Sequence, residues 1–361
     1  MSEHAQEIVF FGSGRLSRIT NPLEGNFRVT IQQDLTENRA NKISKLRSIQ
    51  SHLKATDAPI VIDSLGTSLL IISKLASRYG NDVYLRPRGG FWGEFKDRYQ
   101  GAAAVRDSLH ISRIRHIRDQ VVGEADHIIP VSHFHKTQIK HTYPTIDKPI
   151  TPIYEPYNEK SIAQATSNQS LREDWGVSSE SPLILSVTGF NYRSKGMGIV
   201  DFAQGINAVL SEWEDSYYVV AGDGQYRKEI EERFRGQLNP DVSNRVLFPG
   251  FLSQIAVAYA AADIYLHLSF RDTLAVTVIE AQRSGLPVVV NTGGGMPEVV
   301  NKSSEGNGVV QTNSELEDHL MALVTDKSMQ EATGEENKEW AQARFHATKI
   351  ATDFEDVLLA G

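Results

Sequence analysis

Cysteine is absent from all 361 residues, which excludes disulfides, thiolate metal sites and cysteine nucleophiles together. No run approaches the ~20 consecutive apolar residues that a membrane-crossing helix needs. The polar start Met1-Ser-Glu-His-Ala-Gln lacks the charged and apolar regions of a signal peptide, so the chain is expected to be cytoplasmic. The eleven histidines show no metal-ligand spacing. His133 and His135 follow Ser132, which reads as a helix cap, and both are expected at the surface. An excess of positive charge is lacking as well: 37 Lys plus Arg face 45 Asp plus Glu, a net charge of −8, which gives no support to nucleic-acid binding.

What is present is the composition of an ordinary globular protein, 40% hydrophobic and 23% charged, over a length that suggests two domains of ~150 residues. The charge is unevenly divided. Residues 1–160 hold 22 basic and 17 acidic side chains, and the remainder holds 15 and 28. This asymmetry points to an anionic partner for the first half. Its densest basic segment runs from Arg106 to Arg118, where Val105, Leu109, Ile114, Ile117 and Val121 recur near helical spacing. That leaves Arg106, His110, Arg113, Arg115 and Arg118 on the more polar side, either as a solvated face or as a surface for anionic lipid or a phosphorylated acceptor.

Short apolar, β-branched runs alternate with helical patterns along the chain. Strands are expected at Ile8–Phe11, Phe27–Ile31, Ile60–Asp63, Asp82–Arg86, His127–Val131 and Pro149–Tyr154. A second series falls at Leu183–Val187, Tyr217–Ala221, Arg245–Phe248, Ile264–His267, Pro287–Val290 and Gly308–Val310. The intervening segments are long enough for crossover helices, so the expected fold class is α/β: two Rossmann-like domains with parallel sheets facing across a cleft. The boundaries read as 1–160, 161–335 and a C-terminal helical segment, 336–361, packing back toward the first domain. In such folds ligands bind at loops that follow the carboxyl ends of strands.

The most informative stretch extends from Ser269 to Glu298. A strand ends at His267, and a helix is expected to begin near Asp272, its N–H groups available to a phosphate or a sugar hydroxyl. Asp272 and Glu280 are eight residues apart, a little over two turns at 3.6 residues each, and so share roughly one face. Gly293-Gly-Gly295 allows a ligand close to the backbone. Upstream, Val187-Thr-Gly189-Phe-Asn-Tyr-Arg193-Ser-Lys195-Gly196 follows a strand, and Lys195 and Arg193 offer charge for a diphosphate.

These residues resemble the nucleotide-sugar-binding motif of family 4 glycosyltransferases, retaining enzymes with two Rossmann domains in the GT-B arrangement. The family pattern Ser-x-x-Glu-x-Phe-Gly-x-x-x-x-Glu-Ala, Gly-x-Pro-Val and Gly-Gly-x-Pro-Glu is met by Ser269, Asp272, Glu280-Ala281, Gly285-Leu-Pro-Val288 and Gly294-Gly-Met-Pro-Glu298. The resemblance implies that Asp272, Ala275 and Val276 face sugar and phosphate, that Glu280 holds the ribose, and that Lys195 with Arg193 meets the departing diphosphate. Gly189, Gly222 (in Ala221-Gly-Asp-Gly224) and Phe251, next to the nucleobase, match further family loops. Asp272 stands for a glutamate, Ala275 for a glycine, and Phe190 for the arginine that normally follows the glycine. Covering residues 182–300 strongly and the first half weakly, the resemblance implies front-face transfer with retention and no general base.

In the first half, Gly12-Ser-Gly14-Arg-Leu-Ser17 fails the dinucleotide fingerprint because Ser17 stands at the third glycine. The resemblance turns Gly12 and Gly14 toward the donor phosphate, and a tight turn is the other reading. Arg88, Gly89 and Trp92 are candidates for the acceptor or phosphate side, against a structural ion pair for Arg88 and packing for Trp92. No Asp-x-Asp pair occurs, which by the same resemblance favours a reaction without metal or cofactor. The expected partners are a nucleotide-sugar donor, a carbohydrate or lipid-linked acceptor, and an anionic inner membrane surface touched peripherally by the basic first domain. Two other readings stay open: a nucleotide-sugar epimerase, and a non-catalytic nucleotide-sugar-binding protein.

Overall fold

The computed structural model describes residues 7–12, 17–24, 27–33, 42–63, 67–89, 104–162 and 169–360. It divides into two units, one formed by Met1–Pro156 with Ala347–Gly361 and the other by Tyr157–His346. The first unit contains β1 (Glu7–Gly12), β2 (Arg28–Gln33), β3 (Ile60–Ile62), β4 (Val83–Leu85) and β5 (His127–Ile128). They pair in parallel in the order β2-β1-β3-β4-β5. Residues Ile8, Val9, Phe10 and Phe11 are all fully buried, because helices cover both faces and leave no solvent side for alternation to mark.

One cluster joins Val9 and Phe11 to the helices Lys42–Ala55 and Thr67–Tyr79 through Leu53, Leu69 and Ile72. On the opposite face, Ile8 and Phe10 pack with Ile19, Leu23, Ile350, Phe354 and Leu358. The last three recur at four-residue spacing on the helix Ala347–Leu359, which lines them along one stripe.

The second unit contains β6 (Leu183–Val187), β7 (Tyr217–Ala221), β8 (Val246–Gly250), β9 (Ile264–His267), β10 (Val288–Asn291) and β11 (Gly308–Val310). Its parallel order is β11-β10-β9-β6-β7-β8. The strand order reverses beside β6, so the loops after β6 and β9 adjoin the switch point at which doubly wound sheets bind ligands.

Three expectations need correction. Pro149–Tyr154 is not a strand; it meets β5 through a single bridge, Ile128 to Ile150, since Pro149 and Pro152 have no N–H to extend a ladder. The segment 336–361 is not one helix. The helix Lys327–Phe345 belongs to the second unit and buries Ala341 and Phe345. His346 is extended, at φ −63 and ψ 143, and only Ala347–Leu359 joins the first unit. Finally, His135 is buried rather than superficial: Ser132 does cap the helix His133–Thr142, accepting from the His135 N–H, but the cap turns that ring inward. Burial and the charge of Arg86 push the His135 imidazole down to about 4.

Candidate functional site

The second unit gathers most of the candidate residues on loops that follow strands. After β6 and β7 the chain interlocks two turns. The Phe190 N–H donates to the Asp223 carbonyl at 3.0 Å, and the Tyr226 N–H returns to the Phe190 carbonyl at 3.0 Å. Gly222 lies at φ +138, where a Cβ would stand 1.8 Å from the Thr188 carbonyl oxygen. Only glycine permits that conformation and that approach together. Phe190, in the place of an arginine, is fully buried in the core and touches the Gly196 position. Gly189, by contrast, is exposed.

The helix Arg193–Asp201 starts immediately afterwards and brings Lys195 Nζ to 3.5 Å from Asp272 Oδ2. Arg193 is not part of that pair. Its Nε donates to Glu229 Oε1 at 2.8 Å, on the neighbouring helix Arg227–Arg235. The two cations at the start of this helix therefore have separate carboxylate partners.

Asp272 is not on a helix, contrary to the expectation; the helix begins four residues later, at Val276. Asp272 is held in the loop because its N–H donates to the Gly293 carbonyl at 3.2 Å and its carbonyl accepts from the Gly295 N–H at 2.8 Å. This bridge depends on two of the glycines. A Cβ on Gly293 would stand 1.7 Å from the Ser269 oxygen, and one on Gly294, at φ +95, would stand 2.1 Å from the Asp272 oxygen. The Asp272 carboxyl is buried, which alone would raise its pKa, yet Lys195 and His267 outweigh burial and hold it at about 2. It is a carboxylate at neutral pH.

Ala275 is the N-cap of the helix Val276–Arg283 and, like Val276, brings no side chain to cap it. A helix start of this kind presents N–H groups and the positive end of a dipole to an anion. One turn in, Glu280 is 7% exposed. Its Oε1 accepts from the Asn158 N–H at 3.3 Å and its Oε2 from the Tyr259 hydroxyl at 3.4 Å. A hollow of about 590 Å³ adjoins Asn158, lined also by Ser161, Ser253 and Gln254. Phe251, just beyond Gly250 at φ +86, is 76% exposed. Among the described residues no group of three or more His, Asp or Glu could hold a metal ion.

In the first unit, Gly12 ends β1, and Gly14 and Trp92 lie outside the described residues. Gly89 is exposed. Arg88 sits in a charge network at the carboxyl ends of β3 and β4: its Nε is 2.7 Å from Asp63 Oδ1 and 3.1 Å from Glu155 Oε1. The fully buried Arg86 reaches the same two oxygens, at 3.4 Å and 2.5 Å. Burial drives the Asp63 carboxyl up to about 6 despite both arginines. Glu155 is also penalised by burial, but it has the closer bond to Arg86, and Arg86 and Arg88 hold it below the usual range. Asp63 and His267 were both missed from the sequence. Each stands at or just beyond the end of an apolar strand, Ile60-Val-Ile-Asp63 and Ile264-Tyr-Leu-His267, and that position was the available signal.

Residues 167–340 match the family described as Glycosyl transferases group 1. That match lies within the second unit. The chain is similar to N-acetyl-alpha-D-glucosaminyl L-malate synthase of Bacillus anthracis, 24% identical over 65% of this chain and 60% of that one. It is also similar to a sulfoquinovosyl transferase of Arabidopsis thaliana, 30% identical over 48% of this chain and 33% of that one. The matches thus span 60% and 33% of those relatives' lengths. Among solved structures, Anabaena HepE in complex with UDP-glucose superposes with a TM-score of 0.72 at 16% identity, over 98% of this chain and 100% of that one. That likeness shows the fold, which is that of GT-B glycosyltransferases.

Proposed function

We propose that the chain is a retaining glycosyltransferase that moves a sugar from a nucleoside-diphosphate sugar to an acceptor hydroxyl without a metal ion. One observation carries the reading: Lys195 Nζ lies 3.5 Å from a buried Asp272 carboxylate, in front of a helix whose start no side chain caps. Lys195 and the helix N–H groups meet the charge that develops on the leaving diphosphate, as electrostatic stabilisation aimed at the transition state. Asp272 accepts from hydroxyls of the donor sugar. Glu280 accepts from the ribose, whose paired hydroxyls replace the Asn158 and Tyr259 donors it now uses. Ala275, Val276, Gly189, Gly222 and Phe251 complete the donor side. The departing phosphate takes the acceptor proton, so no side chain serves as general base. The UDP-glucose bound to the Anabaena neighbour and the sugar-transferring names of the relatives support a nucleotide-sugar donor. Gly12, Gly14, Arg88, Gly89 and Trp92 belong to the phosphate or acceptor side, and the acceptor is a glycan, a glycolipid or a lipid-linked intermediate. The working place is the cytoplasm, with peripheral contact to an anionic membrane.

The test is incubation with UDP-, GDP- and ADP-sugars and candidate acceptors in EDTA, following nucleotide release and the anomeric configuration of the product. Acceptor-dependent release with retention is expected. Lys195→Ala and Glu280→Ala should each lose ~10²–10³ in rate while keeping the fold. Unchanged turnover in both variants overturns the site assignment. An isomerised donor marks an epimerase, and binding without turnover marks a binding protein.

A further inference from the structure

We propose that His267 is a positioning residue: its buried imidazole keeps the Asp272 carboxylate in place once Lys195 turns from Asp272 to the donor's diphosphate. The proposal rests on the donor reading above and adds to it a residue that contacts neither sugar nor phosphate.

Two groups approach Asp272 Oδ2, Lys195 Nζ at 3.5 Å and His267 Nε2 at 3.5 Å. They differ in freedom. The Lys195 side chain is 27% exposed and ends a flexible four-carbon arm, whereas that of His267 is 5% exposed on the last residue of β9. The imidazole lies parallel to the Tyr265 ring, at 12° and 6.1 Å between centroids. Its Nδ1 is 3.4 Å from the Tyr265 hydroxyl. That hydroxyl also donates to the Val187 carbonyl at 3.4 Å, so it is the Asp272 carboxylate facing Nε2 that favours the tautomer with its proton on that atom.

His267 Nε2 is buried, and its polar neighbour, Asp272 Oδ2 at 3.5 Å, is too far for a good hydrogen bond. Unsatisfied buried donors are costly, and persistent ones point to a state in which they are used. At 3.5 Å the carboxylate lies just outside the ~2.7–3.2 Å hydrogen-bond range, so a shift of a few tenths of an ångström closes the contact. A diphosphate supplies the reason for that shift. Once Lys195 turns to the phosphates, a buried anion loses its nearest cation and must find another donor. His267 is already aimed at it, from a strand end that does not move with the lysine arm. Asp272, a methylene shorter than the glutamate it replaces, then keeps its place against the sugar.

The experiment compares the wild type with His267→Leu, His267→Gln and His267→Asn, using UDP-glucose and UDP as probes and transfer kinetics as the readout. Glutamine can place an N–H where Nε2 stands; asparagine is too short and leucine has none. His267→Leu should bind UDP as the wild type does and leave KM nearly unchanged. Its kcat should fall up to ~10²-fold, the cost of a group about 1 Å out of place. Glutamine should restore most of the rate and asparagine should not. In an Asp272→Ala background, His267→Leu should cost little more, because the two act through one contact. Wild-type rates in all three variants would overturn the proposal. So would losses that add to that of Asp272→Ala, or UDP binding and melting temperature falling alike in every variant. A wild type inert toward UDP-glucose, GDP-mannose and ADP-glucose would remove the donor reading and this proposal together; an active wild type with indifferent His267 variants removes this proposal alone.

Discussion

At the scale of single residues, the protein keeps charge in places where water cannot pay for it and lets geometry decide which groups stay ionised. Asp272 and Asp63 are both buried carboxyls near cations, yet they move in opposite directions, to about 2 and about 6. Asp272 gains more from Lys195 and His267 than burial takes away; Asp63 has to share Arg86 and Arg88 with Glu155. The consequence for stability follows from the sign. Asp63 releases its proton later in the folded protein than in the unfolded chain, so it costs nothing below about pH 4, and the penalty grows to its full size near pH 6. Asp63→Asn should therefore gain on the wild type by roughly 1 kcal/mol per pH unit across that window, whatever its constant offset. Denaturant titrations of both proteins at pH 4, 5, 6 and 7 check it, and a pH-independent difference would contradict it. Asp272 contributes the reverse: stability present above about pH 4 that disappears as pH falls through about 2. Lys195 and Asp272 were each legible as members of sequence motifs, though their pairing was not. The partner of Arg193 was not, because Glu229 lies 36 residues away and nothing local announces the meeting.

At the scale of elements, strands were the most readable feature, since parallel sheets covered on both faces write themselves as β-branched runs. Element ends were harder. The helix start expected at Asp272 falls at Val276, because a tertiary bridge to Gly293–Gly295 claims the Asp272 backbone first. The break at His346 has no glycine or proline beside it; the change of unit imposes it. The glycine loops make the clearest structural prediction. Gly222→Ala combines a left-handed φ of 138° with a Cβ 1.8 Å from a carbonyl oxygen. It should cost about 2–6 kcal/mol, the sum of overpacking and backbone strain. Gly189→Ala meets nothing nearer than 4.0 Å and should leave the melting temperature nearly unchanged. Thermal unfolding of the two variants separates a glycine required by the fold from one free to face a ligand. Any loss of transfer in Gly189→Ala then reports on the donor side directly.

At the scale of the whole molecule, the chain completes its first unit only with its last helix. Ile350, Phe354 and Leu358 are buried against β1 and the helix Ser17–Leu23, and the Arg86 guanidinium lies 5.2 Å from the centre of the Phe354 ring. Phe354→Ala should cost about 3–5 kcal/mol, seen as earlier unfolding of the first unit while the second keeps its own transition. Charge adds a second whole-molecule property. The first 160 residues are net positive and the rest net negative. The helix Ala104–Glu124 turns Ile117, Val121 and Val122 toward the core and leaves Arg113, Arg115 and His116 exposed. Among the described residues no helix is long and apolar enough to cross a membrane. Contact of this basic face with an anionic bilayer would be electrostatic and screened by salt over ~10 Å at 0.1 M. Vesicles containing phosphatidylserine should bind the protein at low ionic strength and release it as salt rises. Replacing Arg113 and Arg115 by glutamine should weaken that binding by about 1 kcal/mol per residue without touching the donor site. Sedimentation with anionic and neutral vesicles measures both effects. Equal binding to neutral vesicles, or none at low salt, would leave the basic face as a solvated surface and nothing more.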